Sequence, residues 1–464
     1  MKKNLLILTL SLFTSLFFSI ASSADELVIY KAPYMAEASP EFILEVNGRP
    51  VFVYNTRVAA YAYFSFKGKV DIKVTYGAAN LNFYQDPINF YGSPINSCDI
   101  RPLSKQIEYK INKDQVQFSL DKPANLSVEI NKNIKRPLLI FANPLETEIP
   151  DTTSSSVIYF RKGKIHTPGN VIVKSNQTVY IEGGAIVRGS FVAEKAKNVK
   201  ITGRGIIDHS MYENRGGSPI VIYDCENVLF EGIIINEAKG WNCTSYSSRN
   251  VEYRNMKMIS GNSWGDGIDI VGSKKVLVDN CFIKTMDDCI AVKAGVAYIP
   301  EYFNETYVED VLFRNSVLWK MGANAIEIGF ETRADTIKNV TFRNIDIIHC
   351  EGVGYSTFSI HNGDRAFIKN ILFEDIRVED LKEGWLIDFR ILESVYSKDK
   401  TRGYVDDVRF RNINVESDFY PFSQIIGYDE KHTIKNVVLQ NFRIHGRQTP
   451  GTITVVHADP LMYR

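Results

Sequence analysis

The sequence predicts an all-β chain, a right-handed parallel β-helix preceded by a small N-terminal β-sandwich. Two observations carry this. One short pattern recurs nine times from residue 198 onward, as "NVKITG", "NVLFEG", "NVEYRN", "KVLVDN", "DVLFRN", "NVTFRN", "NILFED", "DVRFRN" and "NVVLQN". Before it, the chain alternates apolar and polar residues without any such repeat. The repeats start at Asn198, Asn227, Asn250, Lys275, Asp310, Asn339, Asn370, Asp407 and Asn436, at gaps of 23 to 37 residues. Each unit is a short strand, usually a polar turn residue, and a second apolar run. Strand-rich units of this length stack as a solenoid. Leucine-rich repeats need a Leu/Asn consensus that is absent, and propeller blades need longer units, so coils of a parallel β-helix fit best. The position five residues after each start holds Asn255, Asn280, Asn315, Asn344, Asn412 and Asn441, with Asp375 in the same place. One such residue per coil predicts a ladder of stacked side-chain amides at a bend.

Elements before the repeats follow from period two. "FILEVNGRPVFVY", "AYAYFSFKG", "VDIKVTYG", "QVQFSL" and "LSVEIN" read as strands bounded by Gly, Asn and Lys turns. They predict a β-sandwich over residues 25–150, capping a β-helix over 151–464. The join is near "ETEIPDTTSSS", which has the composition of a linker. Residues 1–24 read as a secretory signal: Lys2 and Lys3, an apolar run, then Ala21, Ser22, Ser23 and Ala24. Export to the periplasm or medium is expected, with no membrane span in the mature chain. Export would permit disulfides, but the six cysteines lack zinc-site spacing and read as mostly buried apolar residues. The formal charge is zero and no long basic run occurs, which argues against a nucleic-acid partner.

Asp266 in "NSWGDGIDIV" stands 21 residues before Asp287, which is followed directly by Asp288 in "MDDCIAVKAG". That gap is about one coil, so these acids should lie on neighbouring coils. Adjacent strand residues face opposite sides, so Asp287 and Asp288 reach one cleft only from a turn at a strand edge, which "KTMDDC" allows. Three clustered carboxylates repel, and one should keep its proton near neutrality. Cleavage of a glycosidic bond needs such a proton donor and a carboxylate that activates water. Were the bond cleaved with inversion, that water would need room, and Asp266 and Asp287 are then expected to be offset, about 6.5–9.5 Å apart. Asp406–Asp407 falls on a coil start and reads as an ordinary solvated turn.

"WGDGIDI" followed by "MDDCIAVKAG" resembles the catalytic core of the polygalacturonase-type enzymes, glycoside hydrolase family 28. "AIEIGFETRADTIKNVTFRNIDIIH", "RPLLIFANPLETEIP" and "VYIEGGAIVRGSF" are similar to the dextranase family, glycoside hydrolase family 49, which also carries an N-terminal β-sandwich. The two form one clan. The resemblance implies an inverting glycoside hydrolase acting at an α-type linkage in a polysaccharide or oligosaccharide. It implies Asp287 as general acid, with Asp266 and Asp288 positioning and deprotonating water. Departures bear on substrate: the family's Asn-Thr-Asp is Trp264-Gly265-Asp266, its Gly-His-Gly is Gly322-Ala323-Asn324, and in place of its Arg-Ile-Lys stand Ser359-Ile360-His361. Because those groups serve galacturonate binding or catalysis, unmodified polygalacturonate is expected to be a poor substrate.

Further substrate-binding candidates are Lys293, Trp264, Phe330, Arg333, His361 and Trp241. Lys293 lies between apolar residues five positions after the acid pair, and reads as a sugar contact or a solvent-facing strand lysine. Phe330 and Arg333 in "GFETR" occupy places where the dextranase family has an aromatic and an arginine. Trp241 and Trp264 offer flat faces for sugar rings, or for buried packing. His361 could replace a missing polar partner or be a satisfied structural histidine. Arg390 is a weaker candidate. No metal or organic cofactor is expected, and the protein is expected to be a monomer. Two alternatives stay open: a β-helical polysaccharide lyase or epimerase, in which the acid trio could hold calcium, and a non-enzymatic glycan-binding β-helix.

Overall fold

The computed structural model describes residues 26–79, 90–213, 217–296 and 307–464. The leader read over residues 1–24 lies outside them. No helix among the described residues is long and apolar enough to cross a membrane.

Two six-stranded sheets come first. Their shared core includes Phe42, Leu44, Phe64, Phe66, Val74, Val116, Val128 and Ile140. Two neighbouring strands, Ala60–Lys67 and Leu138–Pro144, are buried on both faces. Ala62, Phe64 and Ile140 point into the sandwich, whereas Tyr61, Tyr63, Leu139 and Phe141 point the other way, onto the coils. That double burial explains why "AYAYFSF" and "LLIFA" are apolar at almost every position.

From Val157–Phe160 onward the chain winds as a right-handed parallel β-helix with three ladders of parallel strands. The first ladder contains the recurring pattern. Val228, Val251, Val276, Val311, Val340, Ile371, Val408 and Val437 stand in register, one per coil, and all are buried. Two positions further along, Phe313, Phe342, Phe373 and Phe410 stack at centroid separations of 5.4, 5.2 and 4.7 Å. The second ladder carries the sandwich. Ile186, Ile206, Ile234, Ile259, Phe282, Val317, Trp319 and Ile348 meet Tyr61, Tyr63, Leu139 and Phe141 there. Polar ties cross the same junction: Glu129 accepts from His349 Nε2 at 2.8 Å, and Lys257 Nζ, fully buried, bonds Asn143 Oδ1. The third ladder contains Cys243–Tyr246, Ile268–Val271, Ile290–Ala294, Ile326–Thr332, Ser356–Asn362 and Trp385–Ile391.

The predicted amide ladder is present, and a second runs beside it. Asn280 donates to Asn255, Asn344 to Asn315 and Asn441 to Asn412, at 2.8–3.3 Å. The coil starts do the same: Asn227 donates to Asn198, Asn250 to Asn227 and Asn370 to Asn339. Both rows adopt positive φ, near 50–60°, a conformation Asn tolerates better than most residues. Asn344 also accepts from Arg377 at 2.9 Å. Asn344→Ala should therefore cost about 1–2 kcal/mol, read as a lower urea midpoint. An unchanged midpoint would show that the ladder is decorative. All six cysteines are buried and unpaired.

Candidate active site

Asp266 lies in the turn between the strands Lys257–Ser260 and Ile268–Val271. Asp287 and Asp288 occupy the equivalent turn one coil on, between Phe282–Thr285 and Ile290–Ala294. The Gly267 amide donates to Asp288 O at 2.8 Å, which sets the two turns in register. Only glycine permits this approach, because a Cβ at 267 would fall 2.3 Å from Cys289 O. The Asp266 turn is braced from the sandwich: Arg57 donates to Gly261 O, and its amide donates to buried Glu237 at 3.1 Å.

The result is a tight trio. One oxygen from each of Asp266, Asp287 and Asp288 lies within 4.8 Å of one from each of the others. The expected offset of about 6.5–9.5 Å is not seen. Registered turns on adjacent coils hold equivalent side chains near the inter-strand spacing, and the Gly267–Asp288 backbone bond keeps these two together.

The three acids differ in surroundings. Asp266 is 2% exposed and ion-paired with Lys293 at 2.9 Å. Asp287 is half-buried, and burial followed by the charge of Asp266 pushes its carboxyl up to about 7. Asp288 is also pushed well up, by burial and then by Asp266, Asp287 and Glu327. Its Oδ1 accepts from the backbone and side chain of Asn324, at 2.8 and 3.0 Å, and Asn324 in turn accepts from Ser356. Lys293 touches a second acid, buried Asp269, at 3.0 Å and lies 3.8 Å from the Trp241 ring centroid. Burial alone would depress this lysine, but Asp266 and Asp269 hold its ammonium well above the ordinary lysine range.

Farther along the third ladder His361 is buried, its ring stacked on Phe330 at 4.2 Å and 6°. It is clasped by Glu327 on Nδ1 at 2.9 Å and Asp388 on Nε2 at 3.0 Å. Burial works against its charge, but these carboxylates raise it to about 9. Arg390 pairs with both oxygens of Asp388 at 2.8 Å. Phe330 also meets Tyr396 at 5.9 Å, and the Tyr396 phenol is raised by burial, then by Glu331 and Asp287. Trp264 is 41% exposed, in the Asp266 turn. Arg333 faces outward and pairs with Asp399 at 3.4 Å.

The structure thus gathers Asp266, Asp287, Asp288, Lys293 and Trp241, and places Phe330 and His361 beside them on later coils. It turns Arg333 toward Asp399. Sequence reasoning missed Asp269, Glu327, Asn324, Asp388 and Tyr396. For the first, second and fourth a signal existed: each is an acid inside an apolar strand, in "IDIV", "IEIG" and "LIDF". Among the described residues the trio is also the group of three acids close enough to share a cation. A hard divalent ion wants six or more oxygens, whereas Asp266 already holds the Lys293 ammonium, so these residues fit a calcium ion poorly.

The fold is thus a right-handed parallel β-helix that gathers three acids from two adjacent turns. The chain belongs to the glycosyl hydrolases family 28, whose sequence model matches residues 146–460. It is 22% identical over 262 residues, 54% of the chain, to an exopolygalacturonase of Rhizopus delemar. It is also 22% identical over 242 residues, 48% of the chain, to the polygalacturonase QRT2 of Arabidopsis thaliana. The chain spans 63% and 52% of the lengths of these curated relatives. Among solved structures, Dex49A from Penicillium minioluteum superposes with a TM-score of 0.59 at 15% identity, covering 91% of this chain and 92% of that one. An exopolygalacturonase from Thermotoga maritima gives 0.53 at 18% identity, covering 66% and 84%. At these identities the structural likeness establishes fold.

Proposed function

We propose that the protein hydrolyses an α-type glycosidic bond in a polysaccharide or oligosaccharide, with Asp287 as general acid. The observation that carries this is the half-buried Asp287 carboxyl, raised to about 7 within 4.8 Å of its two partners. Asp287 gives its proton to the leaving oxygen as the anomeric C–O bond breaks. Asp266, oriented by Lys293, takes the proton of a water that Asp288, held by Asn324, helps to position, as the water oxygen attacks the anomeric carbon. Clan resemblance supports inversion. The tight spacing favours a second reading, retention through a covalent glycosyl intermediate, for which carboxyls about 5 Å apart are usual. Proton NMR of the first-formed anomer separates the two. The leader pattern supports export, tested by the mature N-terminus of secreted protein.

Purified protein given pectins, dextran, pullulan and algal galactans should release reducing ends from at least one. Appearance instead of an ultraviolet-absorbing unsaturated product would make the protein a lyase, and no product from any would favour a glycan-binding role. The acid must be protonated to act, and its folded-state value is about 7. On the confirmed substrate, kcat/KM should therefore be high below that pH and fall about tenfold per unit above it. A profile flat from pH 6 to 9 would remove Asp287 from the donor role.

A further inference from the structure

The strands of the third ladder carry three cations among the described residues, Lys293, His361 and Arg390, and each is engaged by buried carboxylates. Lys293 lies between Asp266 and Asp269, His361 between Glu327 and Asp388, and Arg390 grips Asp388 with two nitrogens. In register along the ladder run Asp269, Ala291, Glu327, Ser359, Asp388 and Gln424. This row is rich in hydrogen-bond acceptors. A uronate carboxylate could take Lys293 or His361 only by drawing it away from a buried acid, leaving that acid uncompensated, and the part-exposed Arg390 it would meet is already neutralised by Asp388. It would also meet the acids already present, and like charges across an interface repel strongly. A neutral sugar needs no counter-charge, and its apolar C–H faces suit the rings of Phe330 and Tyr396.

Resting on the hydrolase reading for its site, we infer that the sugar unit seated over this face, on the C-terminal side of the acids, is uncharged, and that the Glu327–His361–Asp388–Arg390 network determines that selectivity. The network acts by closing its own charges.

Binding tests this without turnover. Asp287→Asn, which mimics the protonated acid, is run through native gels containing dextran, pullulan, β-galactan, fully methyl-esterified polygalacturonate or unesterified polygalacturonate at pH 6. The expected result is retardation by at least one uncharged polymer at a concentration at least tenfold below that needed for polygalacturonate. Adding Asp388→Asn, which frees Arg390 and one side of His361, should narrow that ratio, and Glu327→Gln should act in the same direction. Polygalacturonate binding as tightly as the best uncharged polymer overturns the inference. So does retardation by none of the uncharged polymers, or a ratio unmoved by both substitutions. The unaltered protein is then given the polymer that binds. Failure to release reducing ends from it defeats the hydrolase reading and leaves the charge preference standing.

Discussion

Asp287→Asn should lower kcat on the confirmed substrate by about a hundredfold or more, the range expected for losing a positioned proton donor. The amide keeps the shape of the protonated carboxyl, so substrate affinity should change little. The deficit should shrink on an aryl glycoside with a good leaving group, because such a group departs without a proton. Asp266→Asn should be similarly severe for another reason: it removes the charge that faces Lys293 and orients water. Its deficit should persist on the activated glycoside. Asp406→Asn is the control. Asp406 accepts from Asn436 at 2.8 Å on the outer row of coil starts, and an Asn there keeps an acceptor oxygen. It should be nearly silent. Small and equal effects from all three would end the assignment.

The largest stability effect should come from Glu129→Ala. Glu129, on the sandwich, is 1% exposed and accepts from Ser127 at 2.9 Å, Arg101 at 3.3 Å and His349 at 2.8 Å. The other nitrogen of His349 meets Asp380 at 2.9 Å. Removing Glu129 leaves a buried imidazolium short of one partner and Arg101 leaning on Glu379 alone. Breaking a buried charge pair from one side costs about 3–5 kcal/mol, read by urea unfolding. A Glu129→Leu/His349→Leu double variant should recover part of that loss, since neither charge then remains stranded. Burial lowers His349, yet Asp380 and Glu129 raise it above its ordinary value. The stabilisation is therefore complete below the ordinary histidine range and disappears as pH climbs through the raised value. A Glu129→Ala midpoint equal to that of the unaltered chain would show that the junction does not depend on this clamp.

The coils were legible because each repeats one chemical requirement: an apolar residue inward and an Asn at a left-handed bend. The row of coil-start amides escaped because Lys275, Asp310 and Asp407 interrupt its run of Asn, and the positive φ that unites the row is a backbone property. Asp266, Asp287 and Asp288 stood out by departing from the repeat. Asp269, Glu327 and Asp388 did not, because an acid alternating with apolar residues reads as a solvated strand position. Here the acids are instead buried against Lys293 and His361. The separation of the carboxyls was misjudged for a related reason. Sequence gives the number of residues per coil, whereas the approach of the two turns depends on what a missing side chain at Gly267 lets through.

The sandwich spans the second ladder from Ile186 to Ile348, touching the strand before each turn that supplies Asp266, Asp287, Asp288 or Asn324. A bare solenoid holds together only through nearest neighbours, so any coil can open at the expense of two interfaces. Here the coils under the sandwich share a common splint and should open as one cooperative block, while those beyond it keep the weaker, stepwise behaviour. Unwinding should accordingly begin at the far end. Amide hydrogens of the strands Phe422–Ile426 and Thr452–Val456 should exchange before those of Ile268–Val271 and Ile290–Ala294, so the last coils fray while the machinery around the acids stays wound.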